Sequence, residues 1–89
     1  MRKAYIIDAK RTPVGKARGL LSTTRADDLL VHAIQSVLKA SDPSEKINNS
    51  IDDIIVGCAM PEGPQGLNIA RIATLLAGLP DSTPAYTLN

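Results

Sequence analysis

The sequence contains no tryptophan and no phenylalanine, and its only aromatic residues are two tyrosines. A surface that stacks nucleic-acid bases on aromatic rings is therefore excluded. A single cysteine cannot close an internal disulfide, which fits a reducing compartment. One cysteine, one histidine and scattered carboxylates form no ligand cluster, so no metal site is expected. No apolar run approaches the roughly 20 residues needed to span a bilayer. Arg2 and Lys3 precede only a short apolar stretch, broken by Asp8, so the N-terminus is not a secretory signal, and it is not an Arg- and Ser-rich transit peptide. The glycines never fall into G-x-G-x-x-G after a strand or into a phosphate loop, which argues against a nucleotide site. Charge of one sign is also missing: ten basic and nine acidic residues leave a net +1.

What remains is an aliphatic composition, 44% hydrophobic over 89 residues, enough for one small domain. A chain of this size buries only about 60–65% of its unfolded surface, so its stability margin is thin. The expected setting is the cytoplasm.

Along the chain, β-rich and helix-rich patterns alternate. Residues 4–9 form a β-branched and aromatic run that predicts a first strand, ended by Pro13, and residues 13–23 read as a loop. Thr24, Arg25, Ala26 and Asp27 have the spacing of a capping box, with Asp27 and Asp28 at the positive end of a helix dipole. Leu30, Ala33, Ile34, Val37 and Leu38 then make one apolar stripe, and Asp42-Pro43 ends the helix. Residues 44–50 read as a polar surface connection. Ile54, Ile55 and Val56 predict a second strand within 51–58, apolar on both faces. Two prolines and two glycines in 60–66 exclude a regular element there. A second helix is expected from Leu67 or Asn68, with Asn68 as N-cap, Ile69, Ile72, Ala73 and Leu76 inward, and a Gly78–Pro80 stop. Residues 84–89 predict a third strand. The order βαβαβ argues for an α/β fold with a parallel sheet and right-handed crossovers. Three sequential strands would put both helices on one face, so something outside the chain must cover the other. Alone, the 89 residues are expected to be molten, insoluble or dependent on a partner.

Candidate chemistry is sparse. Cys58 ends the second strand, but His32 lies about 200° round the first helix from Leu30 and points to solvent, away from it. A buried structural thiol is the simpler reading of Cys58. Asp27-Asp28 and Asp52-Asp53 are sequence neighbours that point in different directions, so neither pair is an acid–base dyad. Arg11 and Arg71 are both expected at the C-terminal edge of the sheet, where sites of α/β proteins form. Pairing with a carboxylate is the simpler account of each. The residues alone specify the approach to a site and no complete site.

Several stretches together resemble one family. Residues 5–15, YIIDAKRTPVG, resemble the opening strand and Arg-Thr-Pro turn of thiolases. Residues 52–80, DDIIVGCAMPEGPQGLNIARIATLLAGLP, are similar to their second strand, following loop and second helix, and PAYTLN at 84–89 to the strand that leads to the catalytic cysteine. The resemblance implies the layered αβαβα thiolase fold, of which residues 1–89 would be the N-terminal portion of the first domain, truncated before the catalytic cysteine. It implies a subunit roughly four times this length, as a homodimer or homotetramer.

The activity so implied is acyl transfer between coenzyme A and a second acyl-CoA, with coenzyme A as co-substrate and no permanently bound cofactor. A nucleophilic cysteine would take the acyl group, a histidine would activate it, and a second cysteine would move the proton on the acetyl carbon. By the family pattern the nucleophile lies three residues after Asn89, so the chain holds no catalytic residue and would be inactive alone. Cys58 does not match it. Gln65, Asn68 and Arg71 match a segment near the thiolase dimer interface, beside the active site, and would have a supporting role. The run CAMPEGPQGLNIAR looks more like degradative 3-ketoacyl-CoA thiolases of fatty-acid breakdown than biosynthetic acetoacetyl-CoA thiolases. Alternatives are a biosynthetic acetoacetyl-CoA thiolase or another acyltransferase of the superfamily, such as a ketoacyl synthase, and a non-catalytic split or truncated partner that assembles with a second polypeptide.

Overall fold

The computed structural model describes residues 2–89. Helix α1 runs Ala26–Ser41, strand β1 Ile54–Gly57, helix α2 Ile69–Leu76 and strand β2 Ala85–Leu88. Single 3-10 turns at Lys46–Ser50 and Gly63–Gln65 lie in the connections before β1 and before α2. The two strands pair in parallel, Ile54 opposite Ala85 through Gly57 opposite Leu88. This is the α/β arrangement that the alternation predicts.

Because partners across a parallel ladder share a face, Ile54, Val56, Ala85 and Thr87 form one side of the sheet and Ile55, Gly57, Tyr86 and Leu88 the other. The first side is half-buried and the second exposed. Helix α2 packs on both strands and α1 packs on α2. The core is small: Ile69, Ala70, Ala73, Thr74 and Leu79, with Cys58 at its edge.

Residues 4–9 form no strand and pair with nothing, and Tyr5, Ile6 and Ile7 are exposed. A strand needs a neighbouring ladder to satisfy its backbone, and among the described residues β1 pairs only with β2. Strand propensity alone therefore does not make this segment a strand.

Helix α1 begins one residue later than a capping box requires. Arg25 is the N-cap, its side chain caps nothing, and it instead grips Asp27 through Nε and Nη2, each at 3.0 Å. The carboxylate that the box would turn back to the cap is thus taken by the guanidinium. Asp27 and Asp28 both sit in the first turn, where their negative charges favour the helix dipole. The polar connection expected at 44–50 is partly helical, wound as the 3-10 turn Lys46–Ser50.

Helix α2 ends in a Schellman motif. Gly78 at φ +87° donates its N–H to the Leu75 carbonyl, and Leu79 N–H reaches Thr74 O at 3.3 Å. The inner face of α2 is rotated from the expected one: Ile69, Ala70, Ala73 and Thr74 are buried, Ile72 is half-buried and Leu76 is exposed. Small side chains at 70, 73 and 74 let the helix lie close to the sheet, and that close approach wins over the larger Leu76.

Candidate functional site

The loop from Cys58 to Asn68 crosses the C-terminal edge of the sheet and turns into α2. Its last two residues, Leu67 at φ +55° and Asn68 at φ +59°, are both left-handed. For non-glycine residues this costs roughly 1–2 kcal/mol each, less for asparagine, whose short polar side chain bonds locally. Here that side chain has several partners.

Asn68 Oδ1 accepts the backbone N–H of Arg71 at 3.4 Å, the N-cap bond expected from sequence. The same oxygen accepts the Thr87 hydroxyl at 2.8 Å, and Asn68 Nδ2 donates to the Ala85 carbonyl at 3.3 Å. Thr87 Oγ1 in turn accepts the N–H of Ala70 at 3.2 Å. That bond occupies an acceptor site of the hydroxyl and leaves its proton for Asn68, so the directions are mutually consistent. Two free N–H groups of the first turn of α2 are thereby satisfied, one from within the loop and one from β2.

Arg71 lies in the first turn of the helix. Its Nη1 donates to Thr83 O at 2.8 Å and its Nη2 to Asp81 O at 2.7 Å. The sequence favours a carboxylate partner here; the structure gives two backbone carbonyls instead, because the loop before β2 passes directly under the guanidinium. The fork thus holds that loop by geometry as much as by charge. Arg11 is not at the sheet edge. It is exposed, donates to its neighbour's carbonyl Thr12 O, and flanks a shallow surface hollow with Pro13 and Val14, since the strand that would carry it is unpaired.

Cys58 is buried at the end of β1, where its N–H donates to Leu88 O at 2.7 Å. Its Sγ faces Gln65 Oε1 at 3.6 Å, which assigns half-buried Gln65 to the support of this loop. His32 is on the exposed side of α1, lining a cavity of about 510 Å³ with Ser36, Lys39 and Asn48, remote from Cys58 in role and element. Among the described residues the Cys58 thiol bonds Gln65 and no base, and its burial fits a structural thiol. Among the described residues no three His, Cys, Asp or Glu side chains converge as metal ligands, and no helix is long and apolar enough to cross a membrane.

The structure thus ties Asn68 and Arg71 to β2 and ties Gln65 to the end of β1. Sequence reasoning missed Thr87, the residue on which the Asn68 network closes. Its signal was available in the alternation of PAYTLN, which puts Ala85 and Thr87 on the helix-covered face.

The arrangement is one in which the first turn of α2 holds β2. Comparison with known proteins gives it a family. The family model described as Thiolase, N-terminal domain, matches residues 4–89. The chain is 49% identical to the 3-ketoacyl-CoA thiolase of Bacillus subtilis (strain 168) over 90 residues, covering 100% of this chain and 22% of that protein. It is 45% identical to the 3-oxoadipyl-CoA/3-oxo-5,6-dehydrosuberyl-CoA thiolase of Escherichia coli (strain K12), again over 100% of this chain and 22% of the relative. With the beta-ketoadipyl-CoA thiolase of Pseudomonas knackmussii it shares 42% identity over 99% of this chain and 21% of the relative. The chain therefore spans about a fifth of the length of the relatives it matches. It belongs to the thiolase family, within the N-terminal domain.

Proposed function

We propose that residues 1–89 are the N-terminal portion of the first domain of a thiolase that cleaves 3-ketoacyl-CoA with coenzyme A. The observation that carries this reading is the match of nearly the whole chain to the thiolase N-terminal domain. The similarity to a protein named 3-ketoacyl-CoA thiolase supports the degradative direction. In this reaction a cysteine thiolate attacks the 3-keto carbon. The bond between C2 and C3 breaks, and the electron pair leaves as the acetyl-CoA enolate, which takes a proton. The thiol of coenzyme A then displaces the shortened acyl group from the enzyme sulfur. Coenzyme A is a co-substrate, and no cofactor is permanently bound.

The acyl-accepting cysteine lies three residues beyond Asn89 in this reading, so the 89-residue polypeptide alone is inactive. Gln65, Asn68 and Arg71 support that position and adjoin a subunit interface of a homodimer or homotetramer in the cytoplasm. The left-handed Leu67 between Gln65 and Asn68 suits such an interface, since this apolar residue is 94% exposed here. A second reading keeps the chemistry and changes the substrate: several similar proteins are named beta-ketoadipyl-CoA thiolases, which favours a 3-ketoacyl-CoA whose chain ends in a free carboxylate.

The test is thiolysis by the full-length protein that carries this chain, with acetoacetyl-CoA, a longer 3-ketoacyl-CoA and beta-ketoadipyl-CoA compared side by side. Cleavage of the longer monocarboxylic substrate is the expected result. Preference for beta-ketoadipyl-CoA by tenfold or more in kcat/KM, equivalent to about 1.4 kcal/mol, would install the second reading. Activity confined to acetoacetyl-CoA would overturn the degradative assignment.

A further inference from the structure

We propose that Asn68 and Thr87 are positioning residues, which fix the end of β2 against the first turn of α2 and so place the thiol that follows it. The proposal rests on the thiolase reading for the identity of that thiol. Its geometry is independent of that reading.

Strand β2 is four residues long and pairs, among the described residues, along one edge only. Along that edge its last bond is Cys58 N–H to Leu88 O at 2.7 Å. A backbone ladder fixes spacing and register, but it leaves a short strand free to tilt towards or away from the helix layer. Side-chain bonds to α2 remove that freedom. Arg71 holds the approach to the strand through Asp81 O and Thr83 O. Asn68 holds Ala85 O at its start and the Thr87 hydroxyl near its end, and Thr87 closes the ring on Ala70 N–H. All five contacts come from the first turn of α2 and its cap.

Thr87 is the last residue of β2 that faces the helix, because Leu88 faces the bare side. No later side chain in the strand can set its tilt. The left-handed backbone of Asn68 fits the same role: it turns the cap side chain sideways onto β2, where an extended N-cap would serve the helix alone. A small error in tilt at Thr87 grows along the chain beyond Leu88. Misplacement of a reacting group by about 1 Å can cost on the order of 100-fold in rate.

The experiment uses the full-length protein with Thr87→Val, which keeps shape and removes both bonds of the hydroxyl. Asn68→Gly keeps the left-handed backbone and deletes the amide, and Thr87→Ser retains the hydroxyl. The readouts are kcat and KM for thiolysis and the pH dependence of thiol alkylation by iodoacetamide. Thr87→Val and Asn68→Gly are expected to lower kcat about tenfold with KM changed less than about twofold. Both should move the midpoint of alkylation towards the ordinary thiol range, and Thr87→Ser should restore both quantities. Should Thr87→Val fail to fold, Asn68→Gly decides. Folded variants with the wild-type kcat and alkylation profile would overturn the positioning role and leave the thiolase reading intact. A wild-type protein that cleaves no 3-ketoacyl-CoA would overturn that reading instead. The alkylation profiles, which need no substrate, then still decide the positioning role: a shift in the variants supports it and identity with wild type overturns it.

Discussion

Asp42 shows how much one residue can join. Its N–H closes α1 on Leu38 O at 2.9 Å, while its carboxylate accepts the Ser44 hydroxyl at 2.6 Å, Ser44 N–H at 3.1 Å and Ile47 N–H at 3.0 Å. One side chain thereby links the end of α1 to the 3-10 turn that follows. The Ser44 hydroxyl, with the backbone N–H groups of Ile47, Ser44 and Lys46, holds the Asp42 carboxyl below its usual range against the opposing effect of desolvation. Asp27 is held low in the same direction, first by its hydrogen bond from Arg25. The sign of the pH dependence follows. A carboxylate whose folded value is depressed stabilises the fold at pH above the unfolded value of about 3.9, and that stabilisation fades as pH falls through the folded value. The stability difference between the wild-type full-length protein and Asp42→Asn should therefore be constant from pH 7 to about 5 and shrink below about 4. Denaturant midpoints measured across that range check it; a difference that grows towards acid would contradict the assignment.

At the scale of elements, the end of α2 offers a clean separation of backbone from packing. Gly78 sits at φ +87°, and a β-carbon added there would meet no atom within 4 Å. Any cost of Gly78→Ala is therefore conformational, about 1 kcal/mol, seen as a lower denaturant midpoint at unchanged slope. A neutral substitution would mean that the Schellman turn is not formed in solution. This stop, the Asn68 cap and the two helices were legible in the sequence because each is written within a few adjacent residues. What was not legible depends on partners distant along the chain. The propensity of residues 4–9 for strand is real, but no ladder among the described residues receives them. Thr24 and Asp27 have the right spacing for a box, yet the neighbouring Arg25 competes for the same carboxylate and takes it. The face of α2 turned on the difference between Leu76 and the smaller residues that permit close approach. The candidate site divided in the same way: Asn68 was visible as a cap, whereas its second role needs Thr87, 19 residues away.

For the whole molecule, surface decides the argument. A compact protein of 9.4 kDa exposes about 5,000 Å² and has a radius of gyration near 12 Å. This chain exposes 6890 Å² and has a radius of gyration of 14.0 Å. The excess has an apolar address. Ile55, Tyr86 and Leu88 line the uncovered sheet face at 55%, 43% and 53% exposure, and Tyr5, Ile6 and Ile7 stand free beside the fold. The buried side chains are mostly small, so the core offers little to offset the entropy of ordering the chain. Ile55 and Gly57 also turn their backbone groups to the edge of β1 away from β2, a ladder without a neighbour among the described residues. The 89-residue polypeptide produced by itself should accordingly bind a hydrophobic dye such as ANS, lack a near-ultraviolet dichroism signal from its tyrosines, and unfold over a broad range of denaturant. In the longer thiolase proposed above the same residues should be protected: amide exchange at Ile55, Tyr86 and Leu88 should be slow there and fast in the 89-residue polypeptide. A monomeric 89-residue chain with a sharp, cooperative transition and no dye binding would show that its small core suffices, and that the bare face needs no cover.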